Sequence, residues 1–177
     1  MNDCDVAIAV ADAGAAVVRR YFGTTLRRLE KGAGDFATNA DREAEHTMLA
    51  LLRRERPADA ILGEESGRSG ARSSVRTWLI DPLCGTLNYA VRMRVVAVNV
   101  ALRSGGRFLA AAVADPCNDE MFWTDGRAAF LRVGGQDTPL APHGDSQLVD
   151  LNFDPPFLNA PAFKAVDRKS TRLNSSH

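Results

Sequence analysis

Trp78-Leu79-Ile80-Asp81-Pro82-Leu83-Cys84-Gly85-Thr86-Leu87-Asn88-Tyr89 is an apolar run that stops at an acid, turns, and starts again. Residues 77–80 read as a short strand with Asp81 at its end. Pro82 fixes the exit from that strand. Gly85 permits close backbone approach, and Thr86 offers both an N–H and a hydroxyl. A helical turn opening at 86–89 would present free N–H groups, which suit an anion.

Two other acidic positions also end predicted elements. Asp41 stands at a helix start, and Glu64-Glu65 follow a short strand at 60–62. Strand ends and helix starts are where side chains converge. Carboxylates brought together repel unless a cation lies among them. Oxygen donors of this kind favour Mg²⁺. Carboxylate ligands beside an anion cradle point to metal-assisted phosphoryl hydrolysis.

Outward from these blocks the chain divides into helices first and strands after. Residues 5–22 put Val6, Val10, Gly14, Val17 and Tyr21 on one helical face, closed by Gly23, with Arg19 and Arg20 in the last turn. Residues 31–38 read as a glycine-rich turn leading into a short extended piece. A second helix is expected over 39–55, with Asn39 as its N-cap and Ala44, Met48, Leu51 and Leu52 as its buried stripe. Residues 66–74 read as a polar loop. Strands at 94–102 and 107–114 join through Ser104-Gly105-Gly106, and strands at 120–124 and 128–133 join around Asp125-Gly126. Two helices followed by mostly antiparallel strands give an α+β layered fold.

The 177 residues match about one domain, and 45% hydrophobic with 25% charged residues is ordinary globular composition. Lys plus Arg and Asp plus Glu are 22 each, so the net charge is zero and carries no footprint for nucleic acid or an anionic membrane. Three scattered cysteines, Cys4, Cys84 and Cys117, fit neither a disulfide framework nor a zinc ribbon and suit a reducing compartment. Asp3 and Asp5 oppose a signal peptide, and no apolar run approaches the ~20 residues of a membrane span. A cytoplasmic protein is expected.

The block 78–89 combines with Asp35-Phe36-Ala37-Thr38-Asn39-Ala40-Asp41 and Gly63-Glu64-Glu65-Ser66, in matching order and spacing. Together they resemble the inositol monophosphatase superfamily of Mg²⁺-dependent, Li⁺-sensitive phosphatases, over residues 1 to about 163. The resemblance implies a layered αβαβα sandwich, of which residues 1–166 would be the N-terminal α+β part. It implies Mg²⁺ as cofactor and a small phosphorylated polyol, sugar or nucleotide as substrate, with a homodimer for a full-length protein. By resemblance Glu64 is a metal ligand that also holds the attacking water, and Glu65 supports it. Asp81 is a ligand shared between metals, and the Leu83 carbonyl is a backbone ligand. Gly85 and Thr86 bind phosphate through their N–H groups. Thr86 and Asp41 together orient the water. Lys31 and Asp35 correspond to flap residues.

Two departures from the family pattern stand out. Cys84 occupies the position of a metal-ligand aspartate, and a thiol is a poor ligand for Mg²⁺. The family's last aspartate ligand, in a Trp-Asp motif, has no counterpart between Trp123 and His177. An alternative is therefore a catalytically impaired member that binds a phosphate ligand or serves as an interaction subunit. A cysteine nucleophile would need an Arg six residues after Cys84, where Ala90 stands. At single positions plainer readings compete: Asp81 as a turn cap, Glu64 and Glu65 as loop charges, Asp41 as a helix-start charge, Lys31 as a surface charge. His46 and His143 lack ligand-spaced partners. Residues 167–177, DRKSTRLNSSH, resemble the translated read-through of a sequencing adapter and are set aside as a foreign tail, the alternative being a polar disordered one. An incomplete chain of this kind would expose apolar surface.

Overall fold

The computed structural model describes residues 1–32 and 35–141. The expected tail at 167–177 and His143 lie outside them. Among the described residues the order is α1 (Asp3–Tyr21), β1 (Arg28–Gly32), β2 (Asp35–Thr38), α2 (Asn39–Glu55), β3 (Ala60–Gly63), β4 (Gly67–Gly70), β5 (Arg76–Cys84), α3 (Thr86–Ala90), β6 (Ala97–Ser104), β7 (Arg107–Asp115), β8 (Glu120–Thr124), β9 (Ala129–Val133) and β10 (Gln136–Pro139). The chain forms two compact units. One is Met1–Leu29 with Ala37–Pro142; the other takes in Glu30–Phe36. Lys31 lies in β1 and Asp35 opens β2, and both proposed flap residues belong to the second unit.

The first unit is built on an eight-stranded sheet in the order β10-β9-β8-β7-β6-β5-β3-β4. Its neighbours pair antiparallel except β3 with β5, which are parallel. The two long helices pack together against one face of this sheet. Val6, Val10, Val17 and Val18 of α1 and Ala44, Met48 and Leu52 of α2 share one core with Trp78, Ile80, Val98, Val100 and Leu102. The α+β layering expected from the sequence is therefore observed. On the opposite face Leu62, 45% exposed, joins Leu79, Ala101, Ala111 and Val113 along a cleft of about 520 Å³.

Local chemistry moves several predicted boundaries. Helix α1 begins at Asp3 rather than 5, because Asn2 and Asp5 form a reciprocal capping box: Asn2 Oδ1 accepts the Asp5 N–H at 2.8 Å, and the Asn2 N–H donates to Asp5 Oδ2 at 3.0 Å. The cap of α2 is Thr38, not Asn39; the Asn39 side chain accepts the Arg27 N–H instead. Part of the expected loop at 66–74 is strand β4, an edge strand paired with β3, and β10 lies at the opposite edge. Neither shows apolar alternation, since an edge strand with little buried surface needs none.

Strand β5 runs past Ile80 to Cys84. Between Asp81, paired with Asn99, and Cys84, paired with Ala97, it holds one residue more than β6. Pro82 cannot donate to the ladder, so the extra residue is accommodated as a bulge. Asp81 and Cys84 are thereby held on either side of the irregularity at the sheet's end.

Candidate active site

Asp41 is 1% exposed, in the first turn of α2. Its Oδ2 accepts the Thr38 N–H at 2.8 Å and the Thr38 hydroxyl at 2.5 Å, completing the helix cap. Its Oδ1 accepts the Thr86 hydroxyl at 3.1 Å. The Thr86 Oγ1 also lies 3.0 Å from the Leu83 carbonyl oxygen. One hydroxyl proton serves two acceptors, so donation to Asp41 leaves the Leu83 carbonyl available to another partner. Burial pushes the Asp41 carboxyl up from its ordinary value, and the hydrogen bonds from Thr38 and Thr86 oppose that push.

Asp81 is held by two donors. The Leu83 N–H reaches its Oδ1 at 3.1 Å, and the Asn99 amide reaches its Oδ2 at 3.2 Å. The turn-cap reading of Asp81 is thus correct, and the same side chain also meets Glu64. Parallel pairing continues beyond β3, with the Glu64 N–H donating to the Ile80 carbonyl at 3.2 Å, which brings Glu64 beside Asp81. Burial, then the Glu64 charge, pushes the Asp81 carboxyl up to about 6, and the two carboxyl groups share a hydrogen bond. Glu64, Asp81 and Asn99 line one end of the apolar cleft.

Cys84 is exposed overall, but partial desolvation of its thiol, followed by the Asp81 charge, pushes its pKa up. The thiol is therefore neutral at pH 7, beside the Asp81 carboxyl. A helix N-terminus can lower a thiol pKa, but here the anionic neighbour prevails. All three cysteines are free.

Gly85 caps α3 in the left-handed region, with φ of +90°. A Cβ there would lie 2.8 Å from the Val95 carbonyl oxygen. The turn is tied down on both sides: the Asn88 amide donates to the Val95 carbonyl at 2.9 Å, and the buried Tyr89 hydroxyl donates to the Val18 carbonyl at 2.6 Å. Gly85→Ala is expected to cost about 2–3 kcal/mol through strain and backbone clash. An unchanged urea midpoint would show that the turn relaxes freely.

The structure thus brings together Asp41 with Thr86, and Glu64 with Asp81 and Cys84. Among the described residues no three His, Cys, Asp or Glu side chains stand in metal-holding geometry. Glu64 and Asp81 are a pair of oxygen donors, with a soft thiol where a third carboxylate would complete the set. His46 is exposed on α2. Two residues near the cluster escaped the sequence reading. Asn99 is a polar residue in a strand, and its cross-strand register with Asp81 is set by the fold. Glu45 follows Asp41 by four residues on α2, which was the available signal. Its buried carboxylate accepts the Glu65 N–H at 3.0 Å.

No helix among the described residues is long and apolar enough to cross a membrane. A model of the inositol monophosphatase family matches residues 2–152. The chain is 41% identical to an inositol-1-monophosphatase of Caulobacter vibrioides over 128 residues, 70% of this chain and 50% of the relative. It is 36% identical to a Streptomyces griseus protein named glucose-1-phosphate thymidylyltransferase, over 76% of this chain and 53% of the relative. The structure of extragenic suppressor protein suhB from Bartonella henselae matches with a TM-score of 0.69 at 32% identity, covering 72% of this chain and 50% of that one. The chain spans about half the length of these relatives. With the family match over most of its length, the chain belongs to the inositol monophosphatase family.

Proposed function

We propose that these residues form part of the active site of a Mg²⁺-dependent phosphomonoesterase acting on a small phosphorylated polyol, sugar or nucleotide. The observation that carries this reading is the Asp81–Glu64 carboxyl pair at the end of the sheet, where the Glu64 N–H is fixed to the Ile80 carbonyl and Asp81 is oriented by the Leu83 N–H and the Asn99 amide. Two facing carboxylates with a carbonyl nearby suit one small hard cation. The neutral Cys84 thiol does not suit a second.

Glu64, Asp81 and the Leu83 carbonyl would hold the ion, with Glu65 in support. When bound, Mg²⁺ polarises a phosphoryl oxygen and acidifies water. Glu64 holds the attacking water in place. The Thr86 hydroxyl, donating to Asp41, keeps a lone pair free to accept from that water and fix its direction. The Gly85 and Thr86 N–H groups neutralise charge on the phosphoryl oxygens.

A second reading is favoured by the neutral Cys84 thiol beside Asp81: a disabled site that binds a phosphate ligand or serves as an interaction subunit. Both are tested by Mg²⁺-dependent phosphate release from inositol monophosphate and a small panel of phosphorylated polyols and nucleotides. The protein should be extended to the length of its relatives. Turnover by wild type that Asp81→Asn abolishes supports the phosphatase. Silence in wild type with activity gained by Cys84→Asp supports the disabled site. Silence in both variants and wild type sinks the phosphatase reading.

A further inference from the structure

Helix α2 carries two buried carboxylates one turn apart, Asp41 and Glu45, at 1% and 3% exposure. Residues i and i+4 lie on the same helix face. Asp41 reaches the turn that bears Thr86. Glu45 reaches the bend after β3 that bears Glu64 and Glu65, where its Oε1 accepts the Glu65 N–H at 3.0 Å. A second feature records how closely the two elements meet. A Cβ at Gly63 would lie 2.1 Å from Glu45 Oε1 and 2.8 Å from the Ser66 hydroxyl oxygen. Gly63 has no positive φ. A side chain at 63 would therefore have to displace the Glu45 carboxylate, whereas the backbone there would accept one.

Burying a carboxylate is costly unless charge-assisted hydrogen bonds compensate it. The other two buried acids among the described residues have evident structural partners: Asp59 is held by Arg76 and Trp78, and Asp41 by its helix cap. Glu45 is spent on the bend whose next-door residue, Glu64, meets Asp81. The Glu64 N–H is fixed to the Ile80 carbonyl on one side, and the Glu65 N–H is fixed to Glu45 on the other.

We propose that Glu45 is a positioning residue that clamps the Glu64–Glu65 bend, so that α2 sets the spacing between Glu64 and the Thr86 turn and thereby the cation affinity of the Glu64–Asp81 pair. This rests on the cation-binding reading of that pair. Partners that orient metal ligands typically affect affinity by 10–100-fold.

The test is Mn²⁺ titration of the full chain, followed by electron paramagnetic resonance of the free ion at 25 °C, with thermal unfolding in parallel. Wild type should bind, and Asp81→Asn should lose binding. Glu45→Ala should bind at least tenfold more weakly while still folded. Glu45→Gln keeps an oxygen to accept the Glu65 N–H and should stay within about threefold of wild type. If Glu45→Ala does not fold, Glu45→Asp serves: it shortens the clamp without emptying the site and should weaken binding at least fivefold. A merely structural role would lower the unfolding temperature and leave the Mn²⁺ affinity of the folded protein unchanged, which would overturn the proposal. Absence of Asp81-dependent binding in wild type overturns the cation reading and this inference with it. Binding that Asp81→Asn abolishes but every Glu45 variant retains overturns this inference alone.

Discussion

Asp81→Asn is expected to abolish divalent-cation binding, by at least a hundredfold, and at the same time to make the fold more stable above pH 6. The carboxyl of Asp81 is raised to about 6 by burial and by Glu64, whereas in an unfolded chain it ionises near ~3.9. Below pH ~4 both states are protonated and the residue has no effect on stability. Between about pH 4 and 6 the unfolded state ionises first, so ionisation favours unfolding. Above 6 the full penalty is present. Two pH units correspond to about 3 kcal/mol at most, and solvent screening of a half-buried group brings this to about 1–2 kcal/mol. Asn can still accept the Leu83 N–H, so the variant removes the charge and keeps the turn cap, losing the bond that the Asn99 amide donates. Urea unfolding at pH 4, 6 and 8 should show wild type losing stability over this range relative to the variant. Parallel curves would mean that Asp81 does not carry the penalty. Added Mg²⁺ should raise the unfolding temperature of wild type and not of Asp81→Asn.

Asp59→Ala is expected to destabilise the protein by about 3 kcal/mol, a large part of a total that is commonly about 5–15. Asp59 is 5% exposed and accepts from Arg76 Nε at 3.0 Å and from the indole N–H of Trp78 at 2.9 Å. Arg76 also donates to Asp3 at 2.9 Å, and Arg56 to Asp3 at 3.1 Å, which ties the start of α1 to the start of β5. Removing the Asp59 side chain strands the buried indole N–H and leaves Arg76 with Asp3 alone. Asp59→Asn keeps an acceptor for Trp78 and should lose only about 1–2 kcal/mol. Urea midpoints at constant slope measure both. Equal losses in the two variants would mean that charge, and not the indole bond, dominates.

The layering was legible because its causes are local. Val6, Val10, Gly14 and Val17 repeat at helical spacing, and all four are buried in α1. The hairpins at Ser104-Gly105-Gly106 and Asp125-Gly126 carry their turns in their own residues. The short helix at Thr86 follows from Gly85 adopting φ of +90°. Errors arose where a weak local signal met a tertiary partner. Asn39 is a good N-cap by type, yet Thr38 takes the cap because Asp41 can answer it and Asn39 bonds to Arg27. Strands β4 and β10 pair at the edges of the sheet, where no alternating pattern marks them.

The same division runs through the site. The residue types, their order and their placement at element ends are properties of the chain, and they single out Asp41, Glu64, Asp81 and Thr86 as candidates, together with the oddity of Cys84. Which of them meet is a matter of long-range packing. The Asp41–Thr86 bond spans 45 residues, and the Asp81–Asn99 bond depends on the register of β5 with β6. Glu45 gains its contact with the Glu65 N–H only because α2 packs beside the end of β3. Hydrophobic period, caps and turns act over a few residues and are written in sequence. Burial, charge coupling and the raised carboxyl of Asp81 come from groups far apart in the chain, and only the folded sheet and helices bring them within hydrogen-bond reach.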